Sequence, residues 1–360
     1  MLLWLLTYLV KIDSSFAVLN YITLRTMFST LTALFVTLFL GNLFIGLLKK
    51  LQLNQVIRVE VPQSHWQKKD TPTMGGLLIA VSIVASCLLW ADLSIRNIWL
   101  LVVALLLFTL IGVRDDLYKI RRQDANGMRA KVKFLLQSVV AFAVVVFMYY
   151  SAEFTAETEL IFPIFKDITL DLGWGFIVLG YLVIVASANS VNMTDGLDGL
   201  VLIPCVLIMS ALTVFVYVTG NIVMAEYLQL PYIASMGEVA IFCGAFIGAC
   251  LGFLWYNTYP AQIFMGDTGS MLLGGSLGLV AILVRQEIVY FVMSGIFVAE
   301  TLSVILQVGS YKLFKKRIFL MAPLHHHFEL KGIPEPKVIV RFWIVTLVLV
   351  AIGLMTLKIR

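Results

Sequence analysis

Ten long apolar stretches, near 26–48, 71–91, 97–113, 134–152, 172–191, 199–219, 239–256, 268–284, 288–309 and 342–357, limit what this chain can fold into more than any other feature. All lack Asp, Glu, Lys and Arg except 288–309, which holds Glu300 alone. A helix crosses a bilayer with about 20 apolar residues, and lipid leaves no backbone polar group unpaired, so such segments cross as helices or as strands of a closed barrel. Barrel strands alternate lipid-facing and lumen-facing residues. These stretches are apolar throughout and read as helices. Charged residues make up 13% of the chain and hydrophobic ones 61%, against roughly 25% charged in a soluble domain. The expectation is an all-α polytopic membrane protein, one integral domain over 1–360, without internal repeats or a loop long enough for a second domain.

Basic residues set the orientation. If the connecting segments 49–70, 114–133, 192–198, 257–267 and 310–341 share one side, that side holds 19 of the 26 Lys and Arg, while the acids apart from Glu300 divide evenly. The Lys/Arg bias makes that side cytoplasmic, and an even number of spans puts both termini in the periplasm. The opening MLLWLLTYLV reads as a short interfacial helix with Trp4 and Tyr8 at headgroup depth, not as a signal peptide. Cys87, Cys205, Cys243 and Cys250 all fall within spans, have no CxxC spacing, and read as buried small hydrophobes. The pI near 8.9 needs no nucleic-acid partner, because basic residues at the cytoplasmic surface face anionic lipid.

Polar residues gather on the cytoplasmic side. Asp115 and Asp116 follow the third span, with Lys119, Arg121 and Arg122 beyond them. Adjacent carboxylates repel unless a cation sits beside them, and Mg²⁺ takes one or two carboxylates together with substrate phosphates. An ordinary charged helix end explains this pair equally well. The segment Asn189-Ser-Val-Asn192-Met-Thr-Asp195-Gly-Leu-Asp198-Gly199 places two carboxylates three residues apart, on one face of a helical turn, beside glycines that permit close backbone approach. A plain turn needs fewer polar groups than these. Asn257 and Asp267 bracket a proline-containing loop in which Phe264 is placed to stack on a base. Capping of the following helix is the bland account of Asp267. Ala322-Pro323-Leu324-His325-His326-His327-Phe328-Glu329 lies in the longest cytoplasmic loop. Three consecutive histidines in an extended segment point both ways, which favours contacts to phosphate or carboxylate over ligation of one ion. Lys68, Lys69, Thr73, Gly75 and Gly76 suit phosphate, or serve as a positive-inside anchor. Charges at the interface rather than the midplane favour surface chemistry over transport.

Five motifs occur in one order: PTMGG at 72–76, Asp115-Asp116, NxxNxTDGLDGL at 189–200, FMGD at 264–267 and APLHHHFE at 322–329. In this the chain resembles, end to end, the phospho-N-acetylmuramoyl-pentapeptide-transferase family of the polyprenyl-phosphate N-acetylaminosugar-1-phosphate transferase superfamily. The resemblance implies an enzyme of the bacterial inner membrane that uses Mg²⁺ to transfer a sugar phosphate from UDP-MurNAc-pentapeptide to undecaprenyl phosphate, giving lipid I and UMP for peptidoglycan. By motif position, Asp267 resembles the Mg²⁺ ligand, with Asp115 and Asp116 near the metal and lipid phosphate. Asp116 resembles a residue that either deprotonates that phosphate or attacks as nucleophile. Lys68, Asn192, Asp195, Gly196, Leu197, Asp198, Asn257 and Phe264 match the nucleoside and sugar pocket, and Thr73 and Lys119 match other active-site positions. Gln307, Ala322, His325 and His326 match the region beside the catalytic centre. Arg114 departs from the family pattern, as do Val59-Glu60-Val61-Pro62 and Met193. The alternatives are a related transferase using another UDP-aminosugar and a lipid or solute transporter. Apolar helix faces fit either a homodimer or lipid.

Overall fold

A computed structural model describes residues 2, 8, 11–54, 71–124, 127–152, 157–163, 165 and 169–359. The expected all-α membrane architecture holds. Among the described residues, nine helices of 18 or more residues are apolar enough to cross a membrane, and the apolar helix Gly76–Trp90 is shorter. Numbered with the shorter helices, they are α1 (Ile22–Lys50), α2 (Gly76–Trp90), α3 (Arg96–Arg122), α4 (Ala130–Ser151), α5 (Gly175–Thr194), α6 (Leu202–Thr219), α7 (Ile222–Leu228), α8 (Val239–Asn257), α9 (Gly266–Leu283), α10 (Glu287–Met293), α11 (Gly295–Phe314), α12 (Leu324–Leu330) and α13 (Glu335–Ile359). Two three-residue strands, β1 (Glu159–Ile161) and β2 (Thr169–Asp171), pair antiparallel between α4 and α5. Trp4 and Lys68 lie outside the described residues, and Tyr8 is exposed.

Helix ends depart from the ends of the apolar runs, for local reasons. α3 continues past Val113 through the Asp pair to Arg122, where Lys119, Arg121 and Arg122 complement the helix dipole and Gln123 closes it in a left-handed conformation. Asp115 and Asp116 are therefore helical residues, not loop residues. The ninth apolar stretch is broken into α10 and α11 at Ser294-Gly295, a pair that commonly interrupts helices. α13 begins at Glu335, well before the apolar run at 342.

The core is centred on α9, whose residues 268–283 are all buried, and which packs chiefly against α3 and α5. α8 is the second buried post, held between α1 and α6. At the end of the bundle away from the Asp motifs, Arg25 of α1 forms a buried ion pair with Glu238, which also accepts the Asp92 N–H at 3.1 Å. Arg285 is fully buried there too, 2.7 Å from Glu287, and its guanidinium donates to the Glu159 carbonyl of β1, tying the hairpin to the bundle.

Gly112 sets the α3–α9 separation. A Cβ built on it would lie 2.4 Å from the Asp267 carbonyl oxygen and from the Thr268 Cα. Both are backbone atoms of the first turn of α9 and have little room to move. Gly112→Val is expected to lower the thermal midpoint in detergent by the equivalent of roughly 1–3 kcal/mol, the usual cost of overpacking. Gly46→Val, at a position with nothing within 4 Å of the added carbon, serves as the control. Equal midpoints for the two variants would remove this crossing as a constraint.

Candidate active site

Four segments distant in sequence meet at one end of the bundle. The backbone joins the first two: Phe264 N–H donates to the Pro72 carbonyl at 2.8 Å, Gly75 N–H to Phe264 at 2.9 Å and Gly76 N–H to Met265 at 3.0 Å. The PTMGG and FMGD motifs thus form one short ladder, with Thr73 buried beside it. The Asp pair arrives on the last turns of α3, and the Asn192 segment on the last turn of α5.

Asp116 closes the assembly. Its carboxylate accepts the Asp267 N–H at 3.1 Å, the Thr268 N–H at 2.9 Å and the Thr268 hydroxyl at 2.7 Å. Asp267 is expected from its position to cap α9. Instead it is the second residue of that helix, and Asp116 supplies the capping carboxylate from α3. A free helix N-terminus presents unpaired N–H groups and partial positive charge, which an acceptor carboxylate satisfies together.

The Asp267 side chain is left facing outward to a set of cations. Lys119 Nζ lies 2.9 Å from its Oδ1, and Lys133 of α4 pairs with its Oδ2. Both lysines also contact Asp115 Oδ2, at 3.2 and 3.3 Å. Asp115 Oδ1 accepts the Met128 N–H at 2.6 Å, which ties the residues just before α4 to α3. Asn192 completes the group by donating to Asp267 Oδ1 at 3.0 Å and to Ser270 Oγ at 2.7 Å while accepting from Lys133 at 3.2 Å. Arg114 is exposed on α3, whereas Asp115 and Asp116 are buried.

Asp195 and Asp198 do not share a helical face, because α5 ends at Thr194 and turns follow. Asp198 is buried and accepts the Ala261 N–H at 3.0 Å. Its own N–H donates to Glu335 at 3.1 Å. Asn257 accepts the Gly199 N–H at 3.0 Å and donates to the Ile263 carbonyl at 2.8 Å, so this turn is laced to the end of α8. Leu197 is buried against α13, and Phe264 is half-buried. The histidine segment is helical rather than extended: α12 buries His325 and His326 together, with His326 Nδ1 2.7 Å from Glu329. Gln307 holds the neighbouring loop, accepting from Ile318 and Phe319 N–H at 3.0 and 2.9 Å. Ala322 precedes the proline that starts α12.

Lys133 is the central residue that sequence reasoning missed. It stands one residue before an apolar run, where a lysine looks like any positive-inside anchor.

Among the described residues no three carboxylate, imidazole or thiolate side chains form a ready cation cage. The donor chemistry nevertheless fits Mg²⁺, which takes one or two carboxylates and completes its shell with water and phosphate oxygens. Asp115 and Asp267 offer hard oxygens to a shared cationic position, and three carboxylates face two lysines, leaving excess negative charge for a divalent ion to balance.

Asp195 lies half-buried just outside α5. Burial first, and the negative charges of Asp267 and Asp116 second, push its carboxyl up to about 8. The unfolded chain releases that proton near 3.8. The native state therefore holds a proton that the unfolded chain has lost between those values, and the associated stability is complete below the lower value and lost as pH rises through the higher. Without divalent cations, the thermal midpoint is expected to fall between about pH 6 and 8, and Asp195→Asn to flatten that slope. An unchanged slope in the variant would assign the dependence elsewhere.

Residues 98–285, more than half of the chain, match the family model described as glycosyl transferase family 4, and residues 68–79 match signature 1 of the phospho-N-acetylmuramoyl-pentapeptide-transferases. The first match takes in the Asp pair, both lysines, Asn192, the Asp195–Asp198 turn, Asn257 and Asp267. The second contains Lys68 and Thr73. Such a family implies a nucleotide-sugar substrate and a lipid carrier in the membrane. The chain therefore belongs to glycosyl transferase family 4, as a phosphosugar transferase of the phospho-N-acetylmuramoyl-pentapeptide-transferase type.

Proposed function

We propose that the protein moves phospho-N-acetylmuramoyl-pentapeptide from UDP-MurNAc-pentapeptide to undecaprenyl phosphate, giving lipid I and UMP for peptidoglycan synthesis. The site face is cytoplasmic in a bacterial inner membrane, and both termini are periplasmic. The observation that carries the reading is the cluster in which Asp115, Asp267, Lys119 and Lys133 meet. It offers both cationic groups for phosphates and hard oxygens for a metal, at the end of the bundle where a lipid headgroup and a soluble nucleotide can meet.

In this reading an oxygen of the lipid phosphate forms a bond to the sugar-bearing phosphorus. The bond from that phosphorus to the oxygen bridging the two phosphates breaks, and that oxygen leaves on UMP. Lys119 and Lys133 stabilise the charge developing on the bridging oxygen, the main contribution a protein makes to phosphoryl transfer. Asp267, with Asp115 beside it, would hold Mg²⁺, whose charge when bound offsets the repulsion between the two phosphates. Three hydrogen bonds from α9 suit Asp116 to holding the Asp267 turn. Asp116, by its motif position, is the carboxylate assigned to take a proton from the lipid phosphate or to attack as nucleophile, and Asp115 beside it faces both lysines. Asn192 orients Asp267. The turn Asp195-Gly196-Leu197-Asp198, with Asn257, Phe264 and Thr73, is assigned to the nucleoside and sugar side, bordered by α12 with Gln307 and Ala322; Lys68 is assigned to the same side by its motif position alone.

The test uses purified protein in detergent with undecaprenyl phosphate. Mg²⁺-dependent UMP release is expected from UDP-MurNAc-pentapeptide and not from UDP-GlcNAc. Asp267→Asn is expected to reduce kcat at least about a hundredfold while the protein stays folded, and Lys133→Met to cost a similar factor. Folded protein that turns over UDP-GlcNAc instead would assign another UDP-aminosugar as donor. The absence of UMP from either would overturn the reading.

A further inference from the structure

Glu300 is the one carboxylate within an apolar stretch of the sequence, and it is fully buried in α11. An ionised group in such a place needs compensation. It finds this across the bundle at the start of the histidine helix: Glu300 Oε2 accepts the Leu324 N–H at 2.6 Å and Oε1 accepts the His325 N–H at 3.1 Å. These are the first two residues of α12, whose N–H groups have no partner within the helix. Pro323, the residue before them, has no side-chain acceptor for those groups. One buried side chain thus does what a local serine or aspartate normally does, from 24 residues away.

The same carboxylate faces the imidazole. Glu300 Oε1 lies 3.3 Å from His325 Nδ1, an ion-pair distance without the alignment of a hydrogen bond. A carboxylate there opposes a lone pair on Nδ1 and favours a proton on it, which leaves the lone pair on Nε2. Nε2 is buried and has no hydrogen-bond partner among the described residues. It points at Gly196, where an added Cβ would lie only 2.1 Å away. The glycine of the Asp195–Asp198 turn is thus the space into which His325 presents that nitrogen.

We infer that Glu300 is a positioning residue: it caps α12 and fixes the tautomer of His325, so that Nε2 is delivered as an acceptor to the Asp195–Gly196 side of the active site. The inference rests on the proposed transfer reaction for its catalytic consequence, but its structural half is measurable without substrate. With Nε2 an acceptor, a phosphate-bound hydroxyl or the sugar's own hydroxyl and amide donors are the ligand groups it suits.

The chain has four histidines, so ¹⁵N-histidine labelling gives a spectrum in which His325 is assigned by its loss in His325→Gln. In the substrate-free wild type the His325 signals are expected to show a protonated Nδ1 and a bare Nε2. In Glu300→Gln they are expected to move to a mixture of tautomers, with kcat for UMP release reduced about tenfold, by analogy with the lower end of the scale for groups that orient metal-ligating histidines, and KM for the nucleotide within about twofold. Adding Glu300→Gln to His325→Gln is expected to cost nothing further in kcat. If Glu300→Gln does not fold, Glu300→Asp, which withdraws the charge by one methylene, is measured with the same expectations. An unchanged His325 tautomer in the folded variant overturns the inference, as does a full multiplicative loss in the double variant. If wild-type protein releases no UMP, the proposed reaction fails, and the tautomer measurement alone decides whether Glu300 governs His325.

Discussion

The end of the bundle that carries the candidate active site depends on a carboxylate of one helix capping the N-terminus of another. Asp116 leaves α3 and takes up three donors from the first turn of α9, and α9 is the most enclosed of the long apolar helices among the described residues. Uncapped N–H groups in so dry a place would each cost on the order of 1–3 kcal/mol. The arrangement also turns the Asp267 side chain outward, toward Lys119 and Lys133. With α3 and α9 crossing at Gly112, the two helices come close enough for that exchange.

Charge compensation builds outward from this contact. Three buried or half-buried aspartates of α3 and α9 sit beside two lysines, one from the same helix and one from α4. Burying such groups is costly unless each is paired, and the pairing fixes α4, the Met128 loop and the end of α5 around one point. For the proposed reaction, charges already oriented by this pairing are the condition under which electrostatic stabilisation is most effective. The same economy appears at α12. Its first turn has no capping side chain of its own and is ordered by Glu300, so the placement of the histidines is set by a residue of the neighbouring span.

Much of this was legible in the chain. Hydropathy marks the crossing helices because lipid imposes one solution on long apolar runs. Aspartates at the ends of those runs stand out because charge is scarce. Other features were not visible. Lys133 resembles any basic residue flanking a span. The two-stranded hairpin is too short to leave an alternating pattern, and its anchor, Arg285, is defined by burial rather than by sequence context. The extension of α3 through the Asp pair was hidden because an uncharged run ends where the lipid ends, while a helix ends where its capping does. His325 and His326 read as extended for the same reason: nothing local starts α12, and its cap lies in α11.

The sequence by itself determined the class of fold, the apolar segments and the residue types able to handle phosphates, since these follow from composition and from the bilayer's intolerance of unpaired backbone. Only the tertiary structure decided which carboxylate does what. Asp115 faces lysines, Asp116 caps a helix and Asp267 is turned outward, although the first two are neighbours in the chain. Adjacent positions on a helix point about 100° apart, and their surroundings come from helices that the local sequence does not specify.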